Sequence, residues 1–245
     1  MVLALDHAHN LLHPRRIVQE TETLTSTQKS LHHTEGDKPA AIWAAFDFDG
    51  TLTHHDTLGP FLRQLIPAAR LAAMLALETP CLAAYALRLI SNERAKVRIL
   101  RRTLGGMLQQ QLEDQGRCFA KTKLPYLLNQ AMLQRLYQHL KLGHCCVLVT
   151  ASLTLYTRPW AMDAGFSFVI GSELEFDRTD RATGQLIGGN CYGPEKERRL
   201  RKLFPKGSLL YAYGDSRGDR EMLSMADFGW QLNAANGFGR NLPKI

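Results

Sequence analysis

The sequence lacks any long apolar run. A membrane-spanning helix needs about 18–20 uncharged apolar residues. The nearest candidate, Leu71 to Leu87, is broken by Glu78-Thr79-Pro80. A secretory leader is not expected either, because Asp6, His7 and His9 interrupt the apolar start. Cysteine is scarce: the five residues, at 81, 118, 145, 146 and 191, show no metal-ligand spacing. They read as reduced structural thiols of a cytoplasmic protein. Cys145 and Cys146 are neighbours on an expected strand and should face opposite ways. Aromatic residues are 8% of the chain and none interleaves with a basic run, which argues against a nucleic-acid partner. Acids are outnumbered, 23 against 30 Lys and Arg, for a net charge of +7. That balance favours anionic partners such as phosphorylated metabolites, lipid phosphates or an anionic membrane surface. No internal repeat is present.

What remains is an ordinary globular composition, 45% hydrophobic over 245 residues, enough for one large domain or a domain with an insertion. Residues 1–40 are polar and aperiodic, with His7, His9, His13, His32 and His33 scattered without ligand spacing. They read as a poorly ordered extension. An apolar segment, Ile42 to Phe46, then ends in Asp47-Phe48-Asp49-Gly50. Such a strand is buried on both faces, as in a parallel sheet, and acids at its exit lie where open α/β sheets bind ligands. From Thr57 to His139 the pattern is helical, punctuated by Pro67 and Pro80, with helices expected at Glu93–Leu104, Gln109–Lys121 and Asn129–Leu142. The α/β pattern resumes with strands at Cys145–Thr150 and Phe168–Ile170, and two hairpin arms at Leu174–Phe176 and Gln185–Ile187. A helix at Leu155–Ala164 and a basic helix at Glu195–Phe204 lie among them, and strands at Leu209–Tyr213 and Phe228–Leu232 follow. Alternation of this kind predicts a doubly wound parallel sheet.

Chemistry-bearing residues recur at the ends of these strands. Asp47 and Asp49 alternate across Phe48 and project to one side, where two carboxylates repel unless a cation or shared proton relieves them. That arrangement suits Mg²⁺ and phosphate chemistry. Thr150 ends a second strand. Lys196 opens a helix after Gly193-Pro194. Gly214-Asp215-Ser216-Arg217-Gly218-Asp219 joins a strand to a helix.

Together, Asp47-Phe48-Asp49-Gly50-Thr51-Leu52-Thr53, the Thr150 segment, Lys196 and the Asp215–Asp219 segment resemble the four motifs of the haloacid dehalogenase superfamily. The resemblance runs from about Ile42 to Asn233. The second aspartate of the first motif marks its phosphatase branch, and dehalogenases lack it. The resemblance implies a Rossmann-like core over residues 41–56 and 140–245, with a helical cap inserted at 57–139. It implies that Asp47 is a nucleophile forming an aspartyl phosphate and that Asp49 is general acid and base. Thr150 and Lys196 would hold the phosphoryl oxygens. Mg²⁺ would be held by Asp47, the Asp49 carbonyl and Asp215, with Asp219 holding the metal's water or orienting Lys196.

Three further residues bear on substrate. Asp56, nine residues after Asp47, matches the offset at which the phosphoserine phosphatase branch carries an amine-binding glutamate; it also reads as a helix N-cap. Lys96 is the candidate cap cation reaching substrate, or else part of a solvated face with Arg94, Arg98, Arg101 and Arg102. Ser152 reads as a substrate contact or, preferably, as the cap of the next helix. The segment after Asp49 also resembles the phosphatidylglycerophosphatase C type, which has an apolar stretch comparable to Leu71–Ile90. Here that stretch is expected to form the cap's own core. The expectation is a Mg²⁺-dependent phosphomonoesterase. The alternatives are a phosphomutase with the same intermediate, and a basic anionic-surface-binding protein with a vestigial site.

Overall fold

A computed structural model describes residues 41–245, so the expected polar extension, residues 1–40, lies outside the described residues. Six strands form one sheet: β1 (Ile42–Phe46), β2 (Cys145–Leu153), β3 (Phe168–Phe176), β4 (Ala182–Ile187), β5 (Leu209–Gly214) and β6 (Phe228–Gln231). Their order is β4-β3-β2-β1-β5-β6, and every pairing is parallel except β3 with β4. This is the doubly wound α/β architecture, with β1 at the centre between β2 and β5.

Alternation along β1 divides two cores. Ala44 and Phe46 face one side with Cys146 and Leu148; Trp43 and Ala45 face the other with Val147, Val149 and Leu210. Cys146 and Cys145 accordingly sit on opposite faces, and all five cysteines are free. Helices cover both faces. α7 (Thr154–Asp163) and α6 (Gln130–Lys141) pack on the Phe46 side. α8 (Pro194–Leu203) and α9 (Arg220–Met225) pack on the Trp43 side. The two strand pieces expected at Phe168–Ile170 and Leu174–Phe176 are one strand, β3. After the parallel ladder shifts register beyond Val149, Leu153 still pairs with Ser172, and the strand runs on into the hairpin with β4.

Between β1 and β2 lie α1 (Leu58–Leu65), α2 (Ala68–Ala76), α3 (Thr79–Ala86), α4 (Asn92–Leu104) and α5 (Gln109–Thr122), ahead of α6. Backbone bonds from Gly106 N–H to Ala182 and from Ala182 N–H to Met107 tie the end of α4 to the β3–β4 hairpin. A domain division at residue 139 would fall inside α6, which buries Met132, Leu136 and His139 against the sheet. We therefore propose that α6 belongs to the core layer and that α1 to α5 make the cap.

The stretch expected to be cap core departs from that expectation. In α2 and α3 only Leu71 and Cys81 are buried, while Leu77, Tyr85, Leu87 and Leu89 are exposed. The physical reason is that α2 and α3 pack by one side only, on α1 and α4. Among the described residues no helix is long and apolar enough to cross a membrane.

Candidate active site

The central strands deliver their chemistry to one edge. Asp47 leaves β1 with its backbone N–H bonded to the Tyr213 carbonyl of β5, 2.9 Å away. The chain then turns sharply through Gly50, whose φ is +78°. A Cβ there would stand 2.2 Å from Asp215 Oδ2, so only glycine lets the first turn approach the carboxylate that follows β5. Gly214 serves the same end, because a Cβ on it would meet Asp219 at 2.5 Å.

Asp47, Asp215 and Asp219 each offer a carboxylate oxygen, all within 4.8 Å of one another. Lys196, buried at the start of α8, places Nζ 2.5 Å from Asp47 Oδ1 and 2.5 Å from Asp219 Oδ1. The other Asp219 oxygen accepts from the N–H groups of Asp215 and Ser216 and from the Ser216 hydroxyl. Asp219 is thus fully engaged by protein donors, and its placement suits orienting Lys196. The Asp215 carboxylate takes a hydrogen bond from its own backbone N–H. A set of hard oxygen donors with one ammonium among three acids fits a small divalent cation such as Mg²⁺.

The electrostatics agree with that fit. Burial pushes Asp47 well above the usual carboxylate range, opposed by Lys196 and reinforced by Asp219 and Asp49. Asp215 is pushed up to about 6, by burial first and then by Asp219. Burial alone would lower the pKa of Lys196, but Asp47 and Asp219 more than offset it, and the ammonium stays charged. Excess negative charge in a dry site is the condition a cation relieves.

The remaining residues line a cavity of about 450 Å³ that opens from these carboxylates toward the cap. Thr150 is buried at its floor, its hydroxyl oxygen accepting from the Ser152 N–H at 2.9 Å. Asp49 takes its hydrogen bonds from Ser152 Oγ on one oxygen and from the N–H and hydroxyl of Thr57 on the other, at 2.9 and 2.7 Å. Its pKa is pushed up to about 6, by burial first and then by Asp56, against the pull of those donors. Ser152 is therefore not the cap of the next helix. β2 runs on through it and Leu153 precedes α7. Asp56 does act as a cap, accepting from the Leu58 N–H at 2.9 Å while it borders the cavity. Lys96 reaches the site from α4, donating to the Ala151 carbonyl and to Asn190 Oδ1 at 3.1 Å. It is not part of a solvated face.

Four contributors lie outside the sequence motifs: Thr57, Tyr156, Asn190 and Tyr192. Tyr156 is wholly buried and donates to Ser152 Oγ at 3.2 Å, bracing the group that holds Asp49. Its position four residues after Ser152 is the only sequence signal for it. Asn190 bridges Ser172, Lys96 and Asn92 from a loop with no pattern of its own.

Comparison with known proteins gives concordant matches. The family described as haloacid dehalogenase-like hydrolase matches residues 44–224. Protein CicA of Caulobacter vibrioides is 37% identical over 195 residues, covering 78% of this chain and 85% of that protein. Among solved structures, a protein described as of unknown function from Bordetella pertussis Tohama I superposes with a TM-score of 0.66 at 23% identity. It spans 76% of this chain and 87% of that one. A HAD family hydrolase from Salmonella enterica serovar Typhi gives a TM-score of 0.60 at 15% identity, over 79% and 63% of the two chains. A substrate-bound phosphoserine phosphatase gives 0.53 at 13%, over 78% and 85%. At these identities the structures speak to fold.

Proposed function

The chain belongs to the haloacid dehalogenase-like hydrolases, and from that premise we propose that it is a Mg²⁺-dependent phosphomonoesterase working through an aspartyl phosphate. The observation that carries the proposal is the buried Asp47–Lys196–Asp219 array, with Asp215 beside it at the end of the adjacent strand.

In this reading Asp47 attacks phosphorus in line and the bond to the leaving oxygen breaks. Asp49 supplies the proton that the leaving alkoxide takes. Its raised pKa keeps a protonated fraction near neutral pH, as a general acid requires. Water then attacks the aspartyl phosphate, Asp49 removes its proton, and Asp47 is released with inorganic phosphate. Two of the three Lys196 protons go to Asp47 and Asp219, and the third serves a phosphoryl oxygen as charge develops. Thr150, whose hydroxyl oxygen already accepts from Ser152, has its proton free for another phosphoryl oxygen. Asp47 and Asp215, with the Asp49 carbonyl, would hold Mg²⁺, which when bound would supply the positive charge that lets a carboxylate approach a phosphate dianion.

The cavity's walls combine Leu58, Leu82 and Ile99 with Lys96 and Asp56. They suit a small phosphorylated metabolite, such as a phosphoserine-like or histidinol phosphate-like ester, or the head of a lipid phosphate. The test is release of inorganic phosphate by the full-length protein from a panel of these esters and from p-nitrophenyl phosphate. Mg²⁺ should be required, EDTA should abolish turnover, and Ca²⁺ should inhibit. Ca²⁺ takes more ligands in looser geometry than in-line attack tolerates. Full activity in EDTA would refute the metal requirement. An isomerised sugar phosphate without free phosphate would favour a mutase.

A further inference from the structure

The face of the cap turned away from α4 has a composition that a water-facing surface seldom shows. We propose that it is a docking surface for an anionic lipid bilayer. The inference does not depend on the hydrolytic reading.

The first observation is exposure. Leu77, Leu87 and Leu89 are 63%, 70% and 72% exposed. Most of the residues around them on α2 and α3 that reach solvent are alanines. Single exposed leucines need no explanation, but three at or just past the ends of one pair of short helices mark an interaction surface. The helices span Ala68–Ala76 and Thr79–Ala86. Elements this short can lie in a membrane interface and cannot cross it.

The second observation is charge. Residues 57–104 hold eight Lys and Arg against two Glu and no Asp. One of the two, Glu78, is buried and held by Arg98 and Arg102. The charges exposed on this part of the cap are therefore mostly cations, Arg70, Arg88 and Arg94 among them, with Glu93 the one exposed acid of residues 57–104. An apolar face rimmed by arginine is complementary to anionic headgroups over acyl chains. The same rim argues against a second copy, since two such faces would bring arginine against arginine.

A third observation is conformational. α3 ends in a turn where the Leu89 N–H bonds to the Ala84 carbonyl and the Arg88 N–H to the Tyr85 carbonyl, at 2.8 and 2.9 Å. That pattern places its left-handed residue at position 88, where φ is +59°, a place usually taken by glycine. Here it is arginine. The packing that the following apolar residue normally makes against the helix is forgone, because Leu89 points to solvent. A strained backbone that presents an arginine between two exposed leucines is unfavourable for the free protein and suited to an interface. Leu82 and Tyr85, also on α3, border the catalytic cavity, so docking would bring the cavity mouth toward the bilayer.

The experiment is vesicle cosedimentation of the full chain, with phosphatidylcholine alone and with phosphatidylcholine rich in phosphatidylglycerol. The expected result is binding to the anionic vesicles only, weakened by added salt. Leu87→Glu with Leu89→Glu should lower the bound fraction about tenfold. Arg88→Gln with Arg94→Gln should lower it severalfold at unchanged melting temperature. Leu89→Ser, a milder change at an exposed position, provides the arm in which folding is not at stake, and it should also weaken binding. Three results would overturn the proposal: no binding by the wild type, equal binding to neutral vesicles, or binding indifferent to all three variants. A dimer split by the leucine variant would assign the face to a second copy instead. Binding gained only after removal of residues 1–38 would assign it to this chain's own N-terminal segment. Either of these would also overturn it.

Discussion

Lys96 holds a core carbonyl from the cap. Its ammonium donates to Ala151, the residue between Thr150 and Ser152, and to Asn190. Burial pulls its pKa down to about 8, opposed by Asp49 and Asp56. A hydrogen bond from a charged group contributes about 1.5–3 kcal/mol, and about 1.4 kcal/mol corresponds to tenfold in rate or affinity. Lys96→Ala should therefore lower kcat/KM about tenfold or more on p-nitrophenyl phosphate as well as on the preferred substrate, because the bond to Ala151 shapes the phosphoryl site itself. Steady-state kinetics on both substrates checks this. A loss confined to the larger substrate would make Lys96 a reader of the leaving group. Asp56, exposed and capping α1, is a different case. Its replacement by alanine should remove about 1 kcal/mol of helix capping and, with it, one of the charges that raise the Asp49 pKa, while leaving the groups that hold the phosphoryl oxygens in place.

At the scale of elements, α6 and β5 carry a buried titratable pair, His139 and Tyr213. His139 has one ring nitrogen 2.9 Å from the Tyr213 hydroxyl and the other 2.8 Å from His144 Nδ1. Burial pulls its pKa down from 6.5 to about 3, with the charges of His144 and Arg135 adding to the effect. The unfolded chain binds a proton at His139 near pH 6.5 and the folded chain does not. Its contribution to stability is thus complete above pH 6.5 and is lost progressively as pH falls toward 3. Asp49 and Asp215, raised to about 6, act in the opposite direction over part of that range. The informative quantity is therefore the difference between wild type and His139→Gln. The gap in melting temperature should narrow between pH 7.5 and pH 5, and a constant gap would contradict this account. The same elements show what could be read in advance. Strand ends and helix starts were legible because Asp47, Thr150, Lys196 and Asp215 lie where an apolar run meets a turn. The continuity of β3 was not, because Gly171 and Ser172 look like a break and only pairing with Leu153 carries the strand through. Tyr156 and Asn190 were not legible either, since their roles arise from interactions between segments distant in the chain.

Across the whole molecule, a central sheet brings four separated segments to one edge, and a helical insertion closes over them. The order β4-β3-β2-β1-β5-β6 sets β1 between the two strands that bear Thr150 and lead to Asp215. This placement lets residues 149 positions apart, Asp47 and Lys196, meet at 2.5 Å. The surface of the insertion is not legible in the sequence for a reason of scale: helical periodicity shows that a face is apolar but not whether anything covers it. The central claim is that Asp47 becomes covalently phosphorylated. The direct measurement is mass spectrometry of protein quenched in acid during turnover, followed by digestion. The account predicts one added phosphoryl group on the peptide holding Asp47, absent without Mg²⁺ and absent in Asp47→Asn, which should also be inactive. Phosphate release at full rate with Asp47 never modified, or by Asp47→Asn itself, would contradict it.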